Sequence, residues 1–296
     1  MLQLLTSAVF LLLFLRSTSS SVFPPCPTLR PRPKAQIIFY NVLHGGEDRL
    51  SNITAYIKSH SALDFLALAE LNHWGKDKLQ RFGEELGMPH TYFLYTKHGY
   101  HLGIVSRHSF DILSKVTQQG LWHHGHIYVH VPRLDISILV THLSPHKSTV
   151  RRWECTQILK TWDKQLPLLV LGDLNTLSPL DAPTHDSLPD LFVNDTRLSQ
   201  KFLNERSNID YLPMEILLSG PLFDAGLVTG AMQSVPTGLT QDFMHAAPMR
   251  LDYALASQQN AFVAGVDSNE VTWLLSDHLP LLVQMCGVHV AGEDEL

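Results

Sequence analysis

The chain has 296 residues, 45% hydrophobic and 17% charged, which is material for one large core or two modest ones. Seventeen Gly and 17 Pro are an ordinary share, so collagen-like and low-complexity chains are excluded. With 22 Lys and Arg against 28 Asp and Glu the net charge is −6, which argues against a dedicated basic coat while leaving room for a local basic patch.

In chain order, Leu4 to Leu15 form an apolar run broken only by Thr6 and Ser7, followed by Arg16 and the small residues Ser17 to Ser21. About twelve residues are too few to span a bilayer and suit the core of a signal peptide, assigned to residues 1–21. A Pro-rich lead (22–34) precedes one domain over 35–290 and an acidic tail over 291–296. Two sequons, Asn52-Ile-Thr54 and Asn194-Asp-Thr196, agree with a secretory route, and so with secretion or an endolysosomal lumen. The terminal Glu293-Asp294-Glu295-Leu296 is close to a retrieval signal and leaves retention in the endoplasmic reticulum open. Three cysteines cannot build a disulfide framework for this length. Cys155 falls on the apolar face of a helix with Ile158, Leu159 and Trp162, and a disulfide involving Cys26 is conceivable with its partner open.

From residue 35 a pattern repeats: a short apolar run stops at a polar residue of catalytic type. Ala35 to Tyr40 stops at Asn41, Leu63 to Ala69 at Glu70, Ile136 to Val140 at Thr141-His142, and Leu166 to Leu171 at Gly172-Asp173-Leu174-Asn175. Such runs, rich in Ile, Val and Leu, are buried strands. Amphipathic helices lie between some of them: Leu50, Ile53 and Ile57 share a face, and a second helix runs from Ser148 or Thr149 to about Gln165. Buried strands alternating with helices imply α/β architecture, with helices covering sheet faces. From Leu188 to about Leu227, Pro- and Ser-punctuated helices and loops are expected over one end of the sheet, shaping access. Two further polar sets open strands: Arg250-Leu251-Asp252-Tyr253, and Ser276-Asp277-His278 before Leu279 to Met285.

Asn, Glu, His and Asp at strand ends converge on one sheet edge, where α/β folds commonly place their sites. Singly, each residue has a structural explanation as a cap, an ion-pair partner or an interior imidazole; jointly they suit metal-assisted hydrolysis. Carboxylate and amide oxygens fit Mg²⁺, with Mn²⁺ as substitute, and no zinc-type Cys/His spacing is present. The absence of a Gly-x-Ser-x-Gly elbow, a P-loop and a dinucleotide fingerprint disfavours a serine esterase or an NTPase. His123-His124-Gly-His126 reads as a solvated strand entry rather than a metal site.

The series Asn41, Glu70, Thr141-His142-Leu143, Gly172-Asp173-Leu174-Asn175, Arg250 to Tyr253 and Ser276-Asp277-His278 resembles the endonuclease/exonuclease/phosphatase superfamily, the DNase I-like proteins, across nearly the whole mature chain. His101 to Arg107 resembles its Gly-rich strand. The sequence departs from the pattern at Leu68, where many relatives have Gln, and at His44-Gly45-Gly46. The resemblance implies a four-layered α/β/β/α sandwich of two packed mixed sheets, with water attacking phosphorus in line and no covalent intermediate. It also implies roles: Glu70, Asn41 and Asp277 at the metal; Asp173 and Asn175 at the attacking water; His278 as general acid/base oriented by Asp252; His142 donating to the phosphate. Arg151 and Arg250 are the candidate contacts to substrate phosphate. A phosphodiester substrate follows, nucleic acid ahead of lipid. The alternatives are a phospholipid or sphingomyelin phosphodiesterase, with Leu212 to Leu222 as its apolar loop, and a catalytically silent binding protein. No obligate protein partner is evident, and a monomer is expected. Finally, protonation of the 17 histidines is expected to reverse the net charge in mild acid and to tighten binding of a polyanion.

Overall fold

The computed structural model describes residues 23–26, 34–117, 119–230, 232–241, 243–245 and 247–286. The expected signal peptide, the acidic tail and most of the Pro-rich lead lie outside the described residues. The elements run β1 (Ala35–Asn41), α1 (Leu50–Ser59), β2 (Leu63–Ala69), α2 (Lys76–Glu85), β3 (His90–Leu94), β4 (Leu102–Ser106), β5 (Asp111–Val116), β6 (His126–Val131), β7 (Ile136–His142), α3 (Ser148–Thr161) and β8 (Leu168–Asp173). Three short helices follow, α4 (Leu188–Phe192), α5 (Thr196–Phe202) and α6 (Leu212–Leu218), then β9 (Phe223–Asp224), β10 (Asp252–Ala256), β11 (Phe262–Val266) and β12 (Leu281–Met285). Strand β12 begins two residues later than the apolar run, because Pro280 has no N–H to give to the ladder.

Two six-stranded sheets form, in the orders β11-β12-β1-β2-β4-β3 and β5-β6-β7-β8-β10-β9. Each holds one parallel pair, β1 with β2 and β7 with β8, among antiparallel neighbours. Strand side chains alternate between faces, and here both faces are covered. Ile37 and Phe39 of β1 and Phe65 and Ala67 of β2 pack inward against Ile138, Val140, Leu169 and Leu171 of the second sheet. Ile38, Tyr40, Leu66 and Leu68 face outward onto Ile53 and Ile57 of α1 and Leu79 and Phe82 of α2. Leu139, Leu168 and Val170 face outward onto Cys155 and Ile158 of α3 and Met214 and Leu217 of α6. The molecule is thus the expected α/β/β/α sandwich, and burial on both faces is why its strands read as unbroken apolar runs. A smaller cluster of Leu177, Phe192, Phe202, Ile209, Val235 and Met249 holds the excursion between β8 and β10. Among the described residues no helix is long and apolar enough to cross a membrane.

Three expectations change here. The segment proposed to lie against a bilayer is largely α6, whose Met214 and Leu217 are spent on the core beneath α3. Arg151 is buried rather than offered to substrate: its guanidinium donates to the carbonyls of Ser144 (2.8 Å) and Lys201. Arg250 is also internal, donating to Asp181 (2.8 Å) and Asp224 (2.9 Å) while lying 4.4 Å over the Tyr253 ring. Arginines so engaged hold excursion loops to the sheet and are not turned to the cleft.

Glu154, one turn along α3 from Arg151, is fully buried and accepts the backbone N–H groups of His123 and Ser144, each at 2.9 Å. It thereby fastens the loop entering β6 and the loop leaving β7 to one helix. Burial pushes its carboxyl up to about 7 and holds the Arg151 guanidinium down to about 10. The chain ends of the domain are fastened covalently. Cys26 and Cys286 form a disulfide across 260 residues, and Cys155 is a buried free thiol.

Two outcomes follow. Cys26→Ser is expected to lower unfolding free energy in denaturant titration by about 2–4 kcal/mol, the usual contribution of a loop-closing bridge; an unchanged midpoint would refute that contribution. Glu154 has a folded pKa above its unfolded value of 4.5, so its contribution is full below pH 4.5 and is lost as pH rises through about 7. Wild type is therefore expected to lose up to about 3 kcal/mol relative to Glu154→Gln between those pH values. Parallel stability–pH curves for the two proteins would show that this carboxyl is not buried as described.

Candidate active site at the strand ends

Register brings the polar residues together. The parallel pairs end at one edge, with Asn41 opposite Ala69, the residue before Glu70, and His142 opposite Asp173. Strand β10 runs the other way and starts there, placing Asp252 opposite Asp173. Strand β12 is antiparallel to β1, so the turn that precedes it delivers Ser276, Asp277 and His278 to the end of β1, where the Ser276 hydroxyl donates to the Asn41 carbonyl (2.7 Å). Asn41, Glu70, His142, Asp173, Asn175, Asp252, Asp277 and His278 thus gather from both sheets. Arg151 and Arg250 do not join them.

The backbone at this edge is tightly constrained. Gly172 pairs where an added Cβ would stand 2.2 Å from the Thr141 carbonyl oxygen, so only glycine lets β7 and β8 close beside Asp173. Glu70 (φ 60°) and Asn175 (φ 49°) occupy the left-handed region, which costs a non-glycine residue about 1–2 kcal/mol. Both are held there by specific bonds. The Glu70 carbonyl accepts from Gly45 (2.6 Å) and Asn72 (2.8 Å); Asn175 donates its N–H to Asp173 Oδ1 (2.9 Å) and its amide to the Leu143 carbonyl (3.2 Å). Strain at two candidate site residues is the kind that surrounding structure maintains for function.

Asp173 is the hub. Its Oδ2 accepts from Asn41 Nδ2 (3.2 Å) and lies 3.4 Å from His142 Nε2 and 3.7 Å from His278 Nε2. Asn41 Nδ2 also donates to Glu70 Oε1 (3.1 Å), so one amide spans two carboxylates. His278 Nδ1 lies 2.7 Å from Asp252 Oδ2, and its buried Nε2 has no hydrogen-bond partner. Burial lowers the affinity of His278 for a proton, but Asp252 and Asp173 outweigh it and push the imidazole up to about 10. Burial also raises Asp252. At neutral pH, then, the proton of this pair sits on the imidazole. His142 is held neutral, well below the ordinary histidine range, by burial and by the nearby charge of His278.

Sequence reasoning missed His245, which enters from a 3₁₀ turn (Phe243–His245) in the excursion; its Nδ1 lies 3.3 Å from Asp277 Oδ2. No periodicity marks that segment, and an isolated histidine carries no signal by itself. Ser234 was missed too, although its hydroxyl accepts the N–H groups of Leu251 (3.0 Å) and Asp252 (3.3 Å) and so aims the carboxylate. Glu70, His142, Asp173, Asn175, His245 and Asp277 line an open cleft of about 1120 Å³, to which α5 contributes Arg197, Gln200 and Lys201, while Asn41, Asp252 and His278 back these residues from beneath.

A divalent cation fits the cleft. Burial and the Asp277 carboxylate push Glu70 up to about 7 against the Asn41 amide and the charge of His278, so a cation beside Glu70 would relieve it, whereas Asp277 is already held low by its hydrogen bond with His245 and the nearby charge of His278. Ligand atoms of His245, Asp277 and His278 also lie within 4.8 Å of one another, as do those of Asp173, Asp252 and His278.

The histidines correct two further expectations. His124 and His126 are buried, so the triplet is not a solvated strand entry: His124 stacks on His142 and His126 tilts against Trp122. Nine of the 17 histidines are held below their ordinary pKa, in each case chiefly by burial. Acidification therefore charges far fewer of them than the sequence count suggested.

Comparison with known proteins accords with this geometry. The chain is similar in structure to an AP endonuclease from Archaeoglobus fulgidus (17% identity, TM-score 0.61, covering 85% of this chain and 99% of that one). It is also similar to a 3'-5' exonuclease from Neisseria meningitidis (16% identity, TM-score 0.60, covering 85% and 100%). No curated protein matches it in sequence. Residues 38–278, which run from β1 to His278, match the sequence profile of the Endonuclease/Exonuclease/phosphatase family, and the chain belongs to that family.

Proposed function

We propose that this protein is a divalent-metal-dependent phosphodiester hydrolase whose substrate is nucleic acid. The observation that carries the reading is the Asp173 carboxylate, met at once by Asn41, His142 and a protonated His278 that is itself backed by Asp252. When bound at Glu70, Asn41 and Asp277, Mg²⁺ or Mn²⁺ would supply Lewis-acid neutralisation of the phosphate charge. Asp173 is placed to orient a water and take its proton, and the Asn175 amide to fix that water or a phosphate oxygen. Asn41 holds Asp173 and Glu70 in one geometry. Neutral His142 and cationic His278 present N–H groups where charge develops on the phosphate, and His278 Nε2, which makes no hydrogen bond, can pass its proton to the leaving oxygen. Preorganised donors of this kind contribute about 3–4 kcal/mol each where they meet charge that develops in the transition state. The nuclease character of the structural neighbours supports nucleic acid as the substrate.

One observation favours a second reading. Val271, Trp273 and Leu274 stand exposed on one 3₁₀ turn (Thr272–Leu274) and the residue before it, and Leu274 lines the cleft. Such a rim suits a phosphodiester headgroup held in a lipid surface. We also place the protein in the secretory pathway, with secretion or an endolysosomal lumen as its destination. The Cys26–Cys286 bridge, exposed sequon residues Asn52 and Asn194, and the apolar run Leu4 to Leu15 support that route.

Asp173→Asn and His278→Ala are each expected to lower turnover by at least about a hundredfold with circular dichroism unchanged. Near-normal turnover in either folded variant would remove the assignment. EDTA is expected to abolish activity and Mg²⁺ or Mn²⁺ to restore it; hydrolysis that survives chelation would mean different chemistry. DNA, RNA and sphingomyelin vesicles assayed side by side test the substrate: turnover of vesicles alone would select the second reading.

A further inference from the structure

The cleft has a wall of stacked rings that the hydrolytic reading leaves without a task. His124 stacks on His142 with ring centroids 4.1 Å apart. His123 meets His124 edge-on at 4.4 Å, and His98 stacks on His123 at 4.7 Å with their planes 18° apart. His146 closes on His123 at 4.9 Å, and Tyr100 lies beside His124 at 5.6 Å. The staircase therefore climbs in three ring-to-ring steps from the buried centre to His98, which is exposed at the mouth on the turn between β3 and β4. One face of the His98 ring lies on His123.

The three rings beneath and beside His98 disfavour the cationic form. Burial and mutual repulsion hold His123 down to about 4, while His124 and His146 also sit below the ordinary range. No hydrogen bond among the described residues engages a ring nitrogen of His98, His123 or His146. The backbone beneath them is fixed, because Glu154 grips the N–H groups of His123 and of Ser144, two residues before His146. Nor is the cleft a purely cationic track: Arg49, Arg197 and Lys201 line it together with Glu47, Asp48, Glu70, Asp173 and Asp277, and Arg151 and Arg250 are engaged internally. A tiered wall of stacked rings beside a phosphate site is suited to the flat face of a ring. Inside a duplex, both faces of each base are already covered by its neighbours.

We propose that His98, seated on His123, is a stacking platform for an unpaired nucleobase next to the scissile phosphate, which makes single-stranded nucleic acid the substrate class. The inference rests on the nuclease reading above and narrows it. Stacking on an aromatic side chain tolerates any base, so the platform confers preference for single strands rather than for sequence.

The test compares three substrates in Mg²⁺: a single-stranded oligonucleotide, the same oligomer carrying abasic residues on both sides of the cleavable phosphate, and the base-bearing strand annealed into a duplex. Wild type is expected to show the lowest KM on the base-bearing single strand. In His98→Ala that preference, read as the ratio of the abasic to the base-bearing single-strand KM, is expected to fall about tenfold, in keeping with loss of one stacked base. His98→Phe, which restores a ring face without ring nitrogens, is expected to recover it. Because His98 lies on an exposed turn, equal melting temperatures establish that both variants are folded. An unchanged ratio in His98→Ala, or an equal preference for duplex and single strand in wild type, overturns the platform while leaving the nuclease reading intact. Absence of hydrolysis on every oligonucleotide overturns both.

Discussion

Burial of the central strands on both faces governs the rest of this molecule. Ile37 and Phe39 on one side of β1, and Ile38 and Tyr40 on the other, are equally removed from water, so a charged side chain within β1 would have no solvent to face. Charge is admitted only where a strand stops. Each sheet contributes a parallel pair, and the pairs stop at the same edge, so residues far apart in the chain are delivered to one place by backbone register. The cleft is the place where two apolar layers give out.

The same constraint explains the electrostatics. Asp173, Asp252 and His278 are all buried, and three such groups are tolerable only as an interlocked set, since a buried charge without a partner costs far more than an exposed one. The pairing of His278 with Asp252 satisfies one ring nitrogen and leaves the other aimed inward with nothing to bond. Glu70 is in the opposite condition, a carboxyl held high by burial and by the neighbouring Asp277 carboxylate. One corner of the site thus carries a surplus proton and the other a carboxyl that a cation would relieve, an asymmetry suited to a substrate that brings negative charge between them.

Much of this was legible before any coordinates. Ala35 to Tyr40 and Leu63 to Ala69 are too apolar for a strand with one wet face, and the abrupt stops at Asn41 and Glu70 mark an edge. The layering into two sheets came from the family resemblance, because periodicity alone cannot say which strands share a sheet. What escaped depends on distant partners. Arg250 reads as a free cation until Asp181 and Asp224, 69 and 26 residues away, fold against it. Arg151 is spoken for by carbonyls that no sequence pattern advertises. The histidine triplet reads as polar, yet His124 is interior because Gly125 and the Glu154 anchor turn its backbone under the cleft. His245 lies in a stretch with no period at all, and only the satellite cluster around Phe202 and Met249 sets its position.

The bridge between Cys26 and Cys286 joins the segment leading into β1 to the end of β12. Apart from short overhangs, the folded chain is therefore a closed ring in the covalent sense. A protease that nicks an exposed loop once, for instance in the excursion between β8 and β10, opens that ring but releases no fragment, since both pieces remain joined through sulfur as well as through the two sheets. In a degradative lumen rich in proteases but poor in reductant, a single cut would leave the cleft assembled, and irreversible loss would await a second cut or reduction of the bridge.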